Sequence, residues 1–366
     1  MAARIENDPK SHYAPPDERS LQYFGRGLAR EQAAGLQDSK VVLILEFGFP
    51  KERVWNWLRA AGSITHSLTK ATGGLIWDEA TREVFSPDAW EEKRLHDWVE
   101  EVPDITQQIV IHAYRDEEHV RAITLGMAKC GLADIVIEGF PWSLNRNMGH
   151  IINLFAQSIA EGATCKVPGD FDLNFRAIRN SQVRDPQVTT LMPNATGVAL
   201  LYLQNGIRQD GDPDNRLVEI TFQRGLGPDI HAKQDHVLSA AFGFRDSVTN
   251  VKHDEAIEAA SRAARRKLPE LRATFEMGLA PGEFILVKAP FRTADKGREF
   301  MWVEISSWKG SKITGLLQNQ PRNVPDLHAG QVVEVSEADV FDYIRRRADG
   351  TSEGNETGKL MEKRTQ

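Results

Sequence analysis

Four short apolar runs, residues 284–288, 300–306, 312–317 and 331–335, are separated by glycine, proline and aspartate. Runs this short do not supply a helical face, and the turn formers between them stop each one before it lengthens. The last third of the chain is therefore expected to form a small β-barrel or a strongly curved sheet.

Upstream, the pattern mixes two periods. Apolar runs at 41–45, 109–114, 122–125, 135–138, 198–203 and 217–222 read as strands, the first of them buried on both faces. Residues 74–77 and 84–85 flank a polar turn and read as a hairpin. Val54, Trp57, Leu58 and Ala61 recur at helical spacing after Pro50, with Gly62 as the stop. Ser86 and Pro87 suit a helix start. Ser143 is expected to open a helix whose stripe is Met148, Ile151, Ile152, Phe155 and Ile159, closed by Gly162. Ile257, Ala260, Ala264, Leu268, Leu271 and Phe275 form another stripe, in which Pro269 implies a kink or break. Residues 338–347 suggest a short helix.

Strands and helices do not alternate strictly, so the class is α+β rather than doubly wound. The expected layout is multidomain, two mixed α/β units followed by a small C-terminal β-barrel-like domain. Residues 1–38 form a loose lead-in. Two α+β units follow, at 39–165 and at 166–280, the second ending in the long helix. Pro281-Gly282 is the linker, 281–359 the small β domain and 360–366 a tail.

Within the β domain, Arg298-Glu299-Phe300-Met301-Trp302-Val303-Glu304 precedes Gly310-Ser311-Lys312-Ile313-Thr314-Gly315. Then come Gly330-Gln331-Val332-Val333-Glu334-Val335 and Glu353-Gly354-Asn355-Glu356-Thr357. This pattern resembles the YegJ-like bacterial family, a domain of unknown function. Upstream, Leu125-Gly126-Met127-Ala128-Lys129-Cys130-Gly131-Leu132 and Gly211-Asp212-Pro213-Asp214-Asn215-Arg216-Leu217 resemble the longer bacterial proteins that carry this module. The resemblance implies a bacterial protein and brings no catalytic residues with it. Some relatives of such domains look like immunity proteins encoded beside secreted toxins, which implies a masking partner by analogy.

The net charge of −7 argues against generic nucleic-acid binding. Two cysteines, Cys130 and Cys165, make no disulfide framework, so a reducing compartment is expected. With no signal-peptide pattern and no apolar stretch near the ~20 residues of a bilayer span, the expectation is a cytoplasmic protein without a membrane partner.

The chemistry-bearing motifs each have a bland explanation. Asp210-Gly211-Asp212-Pro213-Asp214-Asn215 has oxygen ligands at alternate positions, as calcium requires. Yet Thr221 stands where a bidentate glutamate is needed, and turn chemistry explains the same residues. Gly25-Arg26-Gly27 lacks the preceding strand of a dinucleotide loop. His231, Asp235 and His236 are the candidates for a metal site, but their spacing of five departs from the i,i+4 pair that one helix face needs. His112 and His119 form a second loose pair. Cys130 lacks an adjacent base and reads as a packed thiol. The basic run Arg262, Arg265, Arg266 and Lys267 reads as a solvated helix face.

The reading that results is a non-catalytic protein-interaction protein, immunity-like in form, that binds another protein and uses no cofactor. Its surface is expected at Met127, Lys129, Arg298, Glu299, Trp302 and Trp308. One alternative is a hydrolase with a non-standard or metal-assisted site at His231, Asp235 and His236. Another is single-strand nucleic-acid binding through Trp302, Trp308 and Lys312, provided the two tryptophans share one face of a straight strand.

Overall fold

The computed structural model describes residues 1–96, 98–99, 102–115, 119–141, 144–192, 194–243, 255–280, 283–294, 297–319, 321, 323–328, 330–347 and 351–365. Ser143 as a helix start and Pro281-Gly282 as a linker lie outside them. The chain forms two units. Met1–Glu6 and Val42–Ser247 make the first, and Asn7–Val41 and Val248–Gln366 make the second. Both mix helices with sheets, in keeping with the α+β class. No helix among the described residues is long and apolar enough to cross a membrane.

The first unit contains a ribbon of β1 (Ala2–Glu6) and β2 (Val42–Glu46) and a hairpin of β3 (Ile76–Asp78) and β4 (Glu83–Phe85). Its main sheet has six strands: β5 (Val110–Arg115), β6 (Val120–Leu125), β7 (Asp134–Phe140), β8 (Gly169–Asn174), β9 (Val198–Asn205) and β10 (Leu217–Thr221). The order is β8-β9-β10-β7-β6-β5, antiparallel except where β7 meets β10. That one parallel seam joins strands from either side of the expected break at 165/166. Each half alone would leave a bare edge of N–H and C=O groups, and pairing them satisfies both. Val136 and Leu217 are buried along the seam.

The longer helices of this unit are α1 (Val54–Thr72), α2 (Asn145–Ala160) and α3 (Ile230–Phe242). The stripe on α2 behaves as its spacing predicts, with Met148, Ile151, Ile152 and Phe155 all buried in the main core. Helix α1 runs past Gly62 and ends at Gly73, whose φ of +70° is the left-handed turn a glycine supplies. Gly62 has a different use. Trp90 Nε1 donates to its carbonyl at 3.0 Å, and a β-carbon there would meet the Leu95 side chain at 3.0 Å. Ser86 caps its short helix as expected, accepting from the Ala89 amide at 3.2 Å.

The run at 41–45 is not a buried strand. Among the described residues it pairs with Ala2–Glu6 alone, and Leu43 remains 41% exposed. Nor are residues 1–38 loose. Beyond β1 they form helices at Glu18–Phe24 and Arg30–Leu36, the first capped by Asp17, which accepts from the Ser20 amide at 2.7 Å.

In the second unit, α4 (Glu255–Met277) covers one face of a sheet of β11 (Phe284–Arg292), β12 (Arg298–Lys309), β13 (Lys312–Leu317), β14 (Val332–Ser336), β15 (Asp342–Arg346) and β16 (Ser352–Gly354). The order is β14-β13-β12-β11-β15-β16. This sheet is open, not the expected barrel. Ala264, Leu268 and Leu271 of α4 bury one face, so closure is not needed to hide it. The long helix thus belongs with this sheet and not with the unit upstream. It runs through Pro269 as one element. Pro269 and Arg265 are exposed, so water can take the carbonyl that the missing N–H releases.

Residues 342–346 are a strand where a short helix was expected. The buried Asp342 carboxylate accepts from the Thr357 amide at 2.9 Å and its hydroxyl at 2.6 Å. That clamp fastens the start of the C-terminal segment, and residues Glu356–Thr365 are helical.

Candidate functional site

At one end of the first unit's sheet, three strands bring polar side chains to one cleft. Tyr114 on β5 stands directly opposite Arg121 on β6. On β7 the pairing slips between Ile137 and Phe140, so one extra residue is inserted. Gly139 takes φ +58° there, a conformation that a β-carbon would strain. Such bulges re-aim side chains. This one sits beside the glutamate that meets Arg121: Arg121 Nε donates to Glu138 Oε1 at 2.7 Å.

The other edge of the guanidinium is bidentate on Asp212, with Nη1 to Oδ1 at 2.8 Å and Nη2 to Oδ2 at 2.7 Å. Asp212 lies in the acidic loop that its sequence marks as a turn. Oδ2 also accepts from the Gln209 amide at 2.8 Å. Asn215 fastens the loop's end, donating to the Leu132 carbonyl at 2.9 Å and to Asp134 Oδ2 at 2.7 Å. Burial opposes ionisation of Asp212, yet the Arg121 hydrogen bonds hold its carboxyl below the usual carboxylate range. Burial likewise opposes the Arg121 charge, and the bonds to Asp212 and Glu138 outweigh it.

Among the described side chains here, the one Arg121 guanidinium is shared by two carboxylates. Glu138 Oε2 has no partner among the described residues. The cleft holds about 200 Å³ and is lined by Tyr114, His119, Arg121, Glu138, Gly139 and Gln209. His231 on α3 lies against His119, ring centroids 4.8 Å apart and tilted by 31°. Asp229 starts that helix by accepting from the Ala232 amide at 2.8 Å.

Histidines therefore do meet, but not in the pairs their spacing suggested. His119 and His231 come together from distant parts of the chain. Asp235 and His236 are exposed elsewhere on α3. Among the described residues no group of three metal-binding side chains converges.

A second polar cluster lies within the unit. Pro87–Trp90 continues into a wider π-helical segment, Glu91–His96, that carries Arg94 inward. Arg94 is 4% exposed, and its Nη2 reaches Glu83 at 2.7 Å, Asp78 at 3.1 Å and Thr81 at 3.2 Å. Its Nη1 donates to the Gln107 carbonyl, and its guanidinium carbon lies 4.5 Å from the Phe85 ring centre. Lys129 Nζ completes the set, 2.6 Å from Asp78 Oδ2. Burial lowers the Lys129 pKa. Two cations and two carboxylates cancel, so this cluster is a neutral buried network and not a surface.

Two expected interaction residues are corrected by that arrangement. Met127 is fully buried in the main core, and Lys129 spends its charge on Asp78. Burial pushes the neighbouring Cys130 thiol up to about 12, so it remains a packed thiol at neutral pH.

In the second unit, Trp302 and Trp308 do not share a face. The β12–β13 register shifts between Ile305 and Ser307, and that bulge reverses the alternation. Trp308 is 5% exposed and turned to the core, with Nε1 donating to Glu337 Oε2 at 3.0 Å. Trp302 is half-buried, and the Lys288 ammonium lies 5.5 Å from its ring centre. Burial lowers the pKa of Lys288 and raises that of Glu304. Arg298 is exposed, and Glu299 accepts from the Asn323 amide at 2.9 Å. The pairing of Trp302 with Trp308 as a stacking platform is lost. The Lys312 ammonium pairs with Glu334 instead.

No curated protein and no solved structure matches the chain. The family described as "Uncharacterized protein conserved in bacteria (DUF2314)" matches residues 247–365. That span takes in α4 and all six strands of the second sheet, so the domain begins before the long helix and not after it. The C-terminal part of this chain is thus similar to a bacterial domain family of unknown function.

Proposed function

We propose that this protein binds another protein, and that the cleft of the first unit receives one cationic side chain, arginine or lysine, from the partner. The observation that carries this reading is that one guanidinium, Arg121, is shared by two carboxylates, Asp212 and Glu138, and that among the described residues Glu138 Oε2 has no donor. Size supports it too. The cleft's roughly 200 Å³ suits a single side chain, whereas small-molecule pockets usually run to about 300–1,000 Å³. Tyr114 lines the cleft and is 41% exposed, and an aromatic ring attracts a cation. The net charge of −7 would steer a basic partner inward and disfavours nucleic acid. A basic toxin masked by this chain would be one partner of that chemistry.

Titration with ethylguanidinium and ethylammonium, followed by NMR, tests the site directly, with ethylurea and sodium chloride as controls. Both cations should shift the Tyr114, His119 and Gly139 resonances, and Glu138→Gln should weaken that binding about tenfold. Shifts no larger than those given by the controls, or unchanged affinity in Glu138→Gln, would remove the reading.

A further inference from the structure

Helix α1 leaves an apolar line on the surface of the first unit. Its Trp57, Ile64 and Leu68 are 49%, 41% and 37% exposed. Spaced i, i+7 and i+11, they fall within about 20° of one line along the helix. Ala60, Ser63, Ser67 and Ala71 lie beside that line, and all four are small. Ser63 Oγ donates to the Arg59 carbonyl at 3.0 Å, and Ser67 Oγ to the Ser63 carbonyl at 2.9 Å. Neither hydroxyl therefore brings an unsatisfied donor into a dry contact.

The order of large and small residues decides what covers this face. We infer that α1 packs antiparallel against α1 of a second copy of this chain, with the two-fold axis at Ile64. In that register Trp57 lies over Ala71 of the second copy, Leu68 lies over its Ala60, and Ile64 meets its own counterpart. Each of the two larger flanking side chains meets a small one, and the symmetry uses each fit twice. The charges agree with this pairing. No aspartate or glutamate stands between Arg53 and Trp77, so α1 brings no carboxylate into the contact. Arg59 and Lys70 project roughly 0.4 of a turn away from the apolar line. Lys70 Nζ lies 3.7 Å from Asp88 and 3.9 Å from Glu91, and the Arg59 guanidinium stands 5.7 Å from the Trp98 ring centre. Arg53 is exposed, and it comes beside the last turn of the second copy's helix, the end that favours a cation. An acidic partner would call for cations along the whole line, whereas Arg53 stands only at its end.

A single helix pair is a small interface, so the dimer is weak. Sedimentation velocity on the full chain, from micromolar to millimolar concentration, should show a monomer–dimer equilibrium. Ile64→Glu and Ile64→Lys each set two like charges at the axis and should weaken self-association at least about tenfold. Ile64 is partly exposed, so both variants should keep the wild-type circular dichroism and melting temperature. An equimolar mixture of the two sets glutamate against lysine and should associate more tightly than either variant alone. A wild-type chain that stays monomeric at every concentration would overturn the inference. So would variants that associate as the wild type does, or a mixture no tighter than its components. A monomeric wild type that sediments with anionic vesicles would overturn it in favour of a lipid surface.

Discussion

Replacing Arg94 with methionine should lower the unfolding free energy of the first unit by about 3–5 kcal/mol, the usual cost of removing one partner from a buried ion pair. Methionine roughly keeps the side chain's bulk, so the loss reports charge and not a cavity. Asp78 and Glu83 are 8% and 3% exposed, and both lean on the same guanidinium. Hydrogen exchange across β3 and β4, together with urea denaturation, would measure the effect. A loss below about 1 kcal/mol would mean that the cluster behaves like a solvated pair.

The same substitution has a pH signature whose sign is fixed. Burial pushes the Asp78 carboxyl upward, but Lys129 and Arg94 pull it further down, to about 2, from the ordinary 3.8. A carboxyl whose folded pKa is depressed contributes stability above its unfolded value and loses it as pH falls through the folded one. The wild-type advantage over Arg94→Met should therefore be full above about pH 4 and shrink as the pH approaches 2.

Trp308→Ala should destabilise the second unit by about 3–5 kcal/mol, the range for truncating a buried aromatic. Trp302→Ala should cost no more than about half as much, because part of that ring already meets water. The contrast is informative, since on a straight strand the two residues would share one face. Trp308 packs with Phe275 of α4, ring centroids 6.4 Å apart, and fills the space under the helix. Chemical denaturation of the two variants side by side would decide it. Equal losses would mean that the bulge does not set the two residues on opposite faces.

Those tryptophans show where sequence reading stops. Alternation along 300–306 identifies Met301, Val303 and Ile305 as the inward set, and they are buried. One inserted residue then reverses the sense, and no local composition announces it. The strands at 109–114, 122–125 and 135–138 are legible because branched apolar residues cluster there. The seam between β7 and β10 is not, since parallel pairing between distant strands leaves no local turn signal. The ribbon strand Ala2–Glu6 is hidden in the sequence because Ile5 is its only strong strand former. At the cleft, Tyr114 and Arg121 lie within one hairpin, but Asp212, which holds Arg121, and His231, which packs on His119, arrive from far along the chain. A pair such as His119 with His231 is created by the tertiary fold alone. The acidic loop reads as turn chemistry, and its hydrogen bonds are of that kind. Its grip on Arg121 has no sequence signal.

The path of the backbone has an outcome for biosynthesis. Residues Asn7–Val41 belong with Val248–Gln366, and Arg30 reaches the Met277 carbonyl. A ribosome releases that early stretch first and its partner last, with a delay on the order of tens of seconds at ordinary elongation rates. During the wait the early helices have no completed surface to pack on. A recombinant fragment cut to the family-matched span would meet the converse difficulty, because it would be born without the piece of polypeptide that completes it.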